Sequence, residues 1–206
     1  MVIQSLPEDL RECIRFHGHL CPGLVYGYRV AQEAGRLLGI DRMPDGQETD
    51  EEILVVAEND SCAVDALQVI LGATAGKGNL IIRNYGRNAF TVADRRSGRA
   101  VRFFRNRPYR YGGDSPSEFY GLESRMDSPD ITPEEKKRQK LLKSLDLLNR
   151  DFASVFATEE VPFPAVGYAA VSPSVPCAVC GEMTMETKLV TTPAGILCCI
   201  PCAGKT

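Results

Sequence analysis

Both histidines of the 206-residue chain stand in one hexapeptide, His17-Gly18-His19-Leu20-Cys21-Pro22. Imidazole and thiolate are the commonest transition-metal ligands in proteins, so this grouping points to metal coordination. If the stretch is extended, His17, His19 and Cys21 face one side. If it is helical, His17 and Cys21 share a face and His19 turns away. Pro22 disfavours helical geometry at Cys21. Cys62 follows Asn59-Asp60-Ser61, a run suited to capping a helix, and Cys21 precedes another helix start. Unpaired N–H groups and the helix dipole stabilise a thiolate at such places. His17, His19, Cys21 and Cys62 are therefore candidate ligands of a core metal site with room for water or substrate. His17 and Cys62 are also its candidate catalytic groups. Asp60 and Asp65 could support a ligand or act as a base, with Asp60 read first as a cap. A packed core histidine beside a buried cysteine is the plain alternative, and it fits a lone histidine better than this cluster.

The C-terminal end carries Cys177-Ala178-Val179-Cys180 and Cys199-Ile200-Pro201-Cys202, separated by 18 residues. Two Cys-x-x-Cys knuckles at this spacing fit a tetrahedral zinc ribbon, with Cys177, Cys180, Cys199 and Cys202 as ligands. A rubredoxin-type iron site competes, but nothing else in the chain suggests electron transfer. Cys198 could replace Cys199 only by breaking the repeat. Strands are expected at Met183 to Thr191 and Gly195 to Leu197. A lobe of this size cannot bury enough core to hold itself together, so the metal supplies its folding energy.

Composition sets the frame around these clusters. Hydrophobic residues make up 44% and charged residues 25%, as in an ordinary soluble globular protein. A net charge of −3 gives no general pull toward nucleic acid or membrane. Without an apolar signal core or a long apolar span, the expected location is cytoplasmic. Eight cysteines in a reducing compartment favour metal or redox chemistry over disulfides. Seven arginines between Arg95 and Arg110, with no acid among them, suggest a local anion patch or strand alternation with solvent-facing arginines.

The elements that would position the ligands follow from periodicity. A first helix opens near Pro7, with Ser5 as its cap and Leu10, Cys13, Ile14 and Phe16 on its apolar face. A second runs from Pro22 to near Gly39. After a polar turn from Met43 to Asp50, Ile53 to Ala57 reads as a buried strand. A third helix runs through Cys62 to Leu71 and closes at Gly72 to Gly78. That glycine turn is not a phosphate loop, having three residues between Gly72 and Gly76, but Lys77 is a candidate anion- or cofactor-binding residue. Leu80 to Ile82, Ala89 to Val92 and Ala100 to Phe104 read as an antiparallel meander. Residues 108–129 show no clear period. Thr132-Pro133-Glu134-Glu135 is a capping box, opening a helix with Leu141, Leu142, Leu145, Leu148, Phe152 and Phe156 along one side. Residues 172–176 read as a linker. The fold class is α+β, with helices on a mixed or antiparallel sheet over 1–171 and a zinc ribbon over 172–206.

Phe16-His17-Gly18-His19-Leu20-Cys21-Pro22-Gly23, Cys62-Ala63-Val64-Asp65-Ala66-Leu67-Gln68, Gly76-Lys77-Gly78-Asn79-Leu80 and Tyr85-Gly86-Arg87-Asn88-Ala89-Phe90 occur in this order. Together they resemble the signature of the FmdE family, named after the E-subunit of formylmethanofuran dehydrogenase, over about residues 12 to 105. The tail resembles the zinc ribbon that many members append. The resemblance implies a core similar to the catalytic domain of glyceraldehyde-3-phosphate dehydrogenase, and a homodimer. It also implies a metal site at His17, Cys21 and Cys62, with His19 as a further candidate and zinc as the first metal expected. Members often carry Cys where this chain has Ala73, so a thiol-rich version of the site is reduced. The family name comes from an operon shared with a molybdenum or tungsten enzyme that interconverts carbon dioxide and formylmethanofuran. Three functions compete: an accessory protein or subunit of such an oxidoreductase, a stand-alone metal- or thiolate-dependent enzyme on a small carbonyl substrate, and a zinc-ribbon regulator docking on a partner.

Overall fold

The computed structural model describes residues 2–40, 51–169 and 171–204. The turn expected at Met43 to Asp50 lies outside the described residues. The chain divides into two compact units, 1–168 and 169–206.

Helix α1 (Glu8–His17) buries Leu10, Cys13 and Ile14, which recur at helical spacing. Phe16 is off that stripe and 60% exposed, contrary to expectation. The cap also differs: Pro7 holds the N-cap position, and Ser5 lies in a separate 3-10 turn over Val2–Ser5. Gly18, at φ 94°, ends the helix in a left-handed conformation that a side chain would resist. Helix α2 (Pro22–Leu38) starts on proline at its first position, with Cys21 extended at the N-cap.

Strand β1 (Ile53–Ala57), helix α3 (Ala63–Leu71) and strand β2 (Leu80–Ile82) form a parallel β-α-β unit. Strands β3 (Ala89–Asp94) and β4 (Arg99–Phe104) follow as an antiparallel hairpin. Within residues 108–129, helix α4 (Glu118–Glu123) buries Phe119, whose ring stacks on Tyr111 at 4.3 Å. Helix α5 (Pro133–Asn149) carries the expected capping box, and strand β5 (Ala157–Glu160) completes a sheet of order β2-β1-β3-β4-β5.

The sheet therefore corrects the meander. Strand β2 pairs with β1, not β3, and β1 sits between β2 and β3. Every residue of β1 is buried, and only an inner strand covered on both faces suits so apolar a run. Val25, Leu67, Phe90 and Phe103 belong to the cluster between helices and sheet. Leu54, Ala93 and Ala100 form a second cluster under Val161, Phe163 and Val166.

Helix α5 stops earlier than its apolar pattern suggests. The Arg29 guanidinium donates to the carbonyls of Leu147, Leu148 and Arg150, satisfying groups that would otherwise continue the ladder. Phe152 falls in a 3-10 turn (Phe152–Ser154), and Phe156 is buried beyond it.

The second unit holds two small hairpins. Strand β6 (Ser174–Pro176), expected as linker, pairs with β7 (Met183–Met185). A 3-10 turn at Glu186–Lys188 interrupts the expected long strand, and β8 (Leu189–Thr191) pairs with β9 (Leu197–Cys199) ahead of the short helix α6 (Ile200–Ala203). Among the described residues, no helix is long and apolar enough to cross a membrane.

Candidate metal centres

Three helix ends meet at the core cluster. His17 is the last residue of α1, Cys21 the N-cap of α2 and Cys62 the N-cap of α3. Glycines allow this approach. A Cβ on Gly27 would overlap the Ala63 carbonyl, so α2 and α3 touch backbone to backbone there. A Cβ on Gly23 would lie 3.0 Å from the Cys62 Cβ. The donor atoms of His17, Cys21 and Cys62 all fall within 4.8 Å of one another.

The chain is neither extended nor helical through the whole motif. It turns at Gly18 and becomes extended by Cys21, so His17 and Cys21 converge. Cys21 Sγ lies 3.7 Å from His17 Nε2. A tetrahedral zinc ion with ordinary bond lengths would separate such donors by about 3.6 Å. His19 is exposed and outside the cluster, although its ring centroid lies 4.6 Å from that of His17.

Asp65 supplies the supporting contact. Its Oδ2 lies 2.7 Å from His17 Nδ1. A carboxylate on Nδ1 fixes the proton there and leaves the Nε2 lone pair free, the arrangement metal-ligating histidines use. Asp60 instead accepts from the Asn84 side-chain amide at 2.8 Å. The Leu24 N–H points at the Cys21 sulfur, 3.4 Å away. Cys62 receives no such bond as a cap. Burial pushes its thiol up, and the neighbouring Cys21 adds to the rise. The helix start therefore does not make Cys62 the activated free thiolate expected from its position.

Lys77 is not brought to this cluster. Its ammonium donates to the Gly72 carbonyl at 2.9 Å, at the opposite end of α3 from Cys62. A lysine at a helix C-terminus neutralises exposed carbonyls, and this is the contact it makes.

In the second unit, the sulfurs of Cys177, Cys180, Cys199 and Cys202 lie within 4.8 Å of one another. Cys180 and Cys199 are 3.9 Å apart, against about 3.8 Å for two thiolates on tetrahedral zinc. Backbone N–H groups of Cys180 and Cys199 pull the Cys177 thiol down to about 6. Hydrogen bonding to Cys199 and burial push Cys202 up to about 12. Cys198 is fully buried but outside the tetrad. The four cysteines can hold a metal ion.

The model of the family described as "FmdE, Molybdenum formylmethanofuran dehydrogenase operon" matches residues 16–157. The chain belongs to the FmdE family. Its fold resembles that of a tungsten formylmethanofuran dehydrogenase FmdE-like protein from Syntrophus aciditrophicus, with a TM-score of 0.56 and 20% identity over 99% of this chain and 96% of that one. A protein of Archaeoglobus fulgidus described as a "Probable S-adenosyl-L-methionine-binding protein" is 28% identical over 98% of this chain and 54% of its own length. The FmdE chain thus spans about half of that curated relative. His17, Cys21 and Cys62, which the structure brings together, were all named from the sequence, as was Asp65, but not the partner of Asp65. Sequence reasoning did not foresee that Gly27, a glycine inside a strongly helical stretch, lets α2 touch the backbone of Ala63.

Proposed function

We propose that this FmdE-family chain is a metal-binding accessory protein of a molybdenum or tungsten oxidoreductase of the formylmethanofuran dehydrogenase type. His17, Cys21 and Cys62 hold a transition-metal ion, zinc first, and the four ribbon cysteines hold a structural zinc. The observation that carries the core site is the Asp65–His17 contact, which leaves Nε2 beside two thiols. Three donors leave one tetrahedral position open, where a bound metal would supply Lewis acidity toward a carbonyl or water. Asp65 holds the imidazole in one tautomer, and the two thiols give up their protons to the incoming ion. The ribbon serves for docking, and the working form is a cytoplasmic homodimer.

Metal analysis of the purified full chain tests the sites, with two equivalents expected. His17→Ala should remove one and Cys180→Ala the other. Retention of both equivalents in His17→Ala would sink the core site. Affinity purification from native cells tests the accessory role. A large oxidoreductase should come down with the full chain and be lost when residues 172–206 are deleted. Recovery of the chain alone, in its native state, argues against that role. The alternative of a stand-alone enzyme rests on the same open position. The raised Cys62 thiol favours metal-assisted chemistry over a free thiolate nucleophile in that case.

A further inference from the structure

The arginine run between Arg95 and Arg110 divides into two groups. The arginines of the β3–β4 hairpin are engaged. Arg95 donates to the carbonyls of Glu51, Val166 and Gly167. Arg96 pairs with Asp94, Arg99 with Glu160, and Arg102 with Glu58 and Glu159. The last three behave differently. Arg105, Arg107 and Arg110 line a small recess, open to solvent, together with Arg150, Tyr26 and Tyr109. Arg107 and Arg110 make no ion pair among the described residues.

Two features make this recess a built site and not a patch of surface arginines. First, Tyr26 is 8% exposed and its hydroxyl is buried without a hydrogen-bond partner. Leaving such a group buried and unpaired is costly unless something accepts a hydrogen bond from it. Burial pushes the Tyr26 phenol up, so it stays an O–H donor at neutral pH. Secondly, neighbouring residues hold the charges in place. The Arg105 guanidinium lies over the Tyr26 ring, 4.6 Å from its centroid. Asp146 holds Arg150 at 3.0 Å and accepts from the Tyr109 hydroxyl at 2.6 Å. Four guanidiniums thus line the recess, and the carboxylate beside them, Asp146, pairs with Arg150.

We propose that this recess is an anion-binding site for the phosphate group of a small phosphate monoester, held by Arg105, Arg107, Arg110 and Arg150 with the Tyr26 hydroxyl as a buried donor. Guanidiniums match tetrahedral oxyanions through paired N–H bonds. A monoester dianion answers this surplus of positive charge better than a single diester monoanion. The recess opens to solvent, so it suits a head group with the rest of the molecule outside. The site uses none of the proposed metal ligands and does not depend on them.

Titration calorimetry on the full chain tests this, with inorganic phosphate and phenyl phosphate as probes at fixed ionic strength. Saturable one-to-one binding of both is expected. Tyr26→Phe, which keeps the ring, should weaken it about tenfold, as should Arg107→Gln combined with Arg110→Gln at exposed positions. An unchanged melting temperature in buffer would separate loss of binding from loss of fold. Phosphate binding that is absent, or equal in wild type and both variants, would overturn the proposal. So would a short single-stranded oligonucleotide that binds more tightly than phenyl phosphate, because the site would then serve a polymer backbone.

Discussion

At the scale of single residues, the contact between Asp65 and His17 has the largest consequence. Asp65→Asn keeps the shape of the side chain but removes the charge that fixes the imidazole proton. Removing such a supporting carboxylate typically weakens metal binding about 10–100-fold. Competition titration of the core site with a chromophoric chelator should show that loss, with the far-ultraviolet circular dichroism unchanged. The Cys62 thiol sets the pH dependence. Its ordinary value is raised, so at neutral pH it is protonated and metal must displace the proton. Core-site affinity should therefore rise with pH and fall as pH drops, by about tenfold per unit for each thiol proton displaced. Affinity measured from pH 6 to 8 checks the slope, and a flat profile would mean that no thiol ligates. The candidate ligands were legible because histidine is rare in this chain and the spacing of His17, His19 and Cys21 is short. The state of Cys62 was not legible, because a helix start predicts a lowered thiol while burial and a second sulfur, both long-range facts, raise it.

At the scale of elements, the site depends on how closely α2 and α3 approach. Gly27→Ala places a methyl group against the backbone of Ala63, which cannot swing aside as a flexible side chain could. Overpacking of this kind costs about 1–3 kcal/mol. A chain of this length should lose roughly 2–4 °C of melting temperature per kcal/mol. The same variant should bind core metal more weakly, since parting α2 from α3 parts Cys21 from Cys62. Full core-site metal affinity in Gly27→Ala would show that the close approach does not matter to the cluster. Elements set by local signals were readable, including the capping box at Thr132, the glycine after α2 and the apolar run of β1. Those set by distant partners were not. Strand β5 is polar, and it forms because Glu159 and Glu160 meet Arg102 and Arg99 across the ladder. The end of α5 was hidden because it is fixed by Arg29, over 100 residues earlier.

At the scale of the whole molecule, the two units depend on metal to different degrees. The first unit has a continuous core of fully buried Leu, Val and Phe side chains. In the second, the buried core cluster is Cys177, Cys198, Cys199 and Cys202, with Leu189 and Ala203 beside it. Four sulfurs and two small contacts do not offset the entropy of ordering some three dozen residues, so a metal on the four cysteines would contribute most of the stability. Stripping metal with a strong chelator should raise amide hydrogen exchange throughout 174–203 while β1 and β3 stay protected. Unchanged exchange in 174–203 after complete metal removal would show that the ribbon stands on its own packing.

The three residues of the core cluster and the carboxylate that holds His17 all lie between positions 17 and 65. The β-α-β unit anchors the far end of that stretch in the sheet, and α1 and α2 hold the near end. The candidate metal site is thus carried by one contiguous stretch, while β5, the ribbon and the arginines of the recess come from later sequence. Such a stretch can be inherited whole. Changes confined to β5, the ribbon or the arginines of the recess would leave every candidate ligand in place.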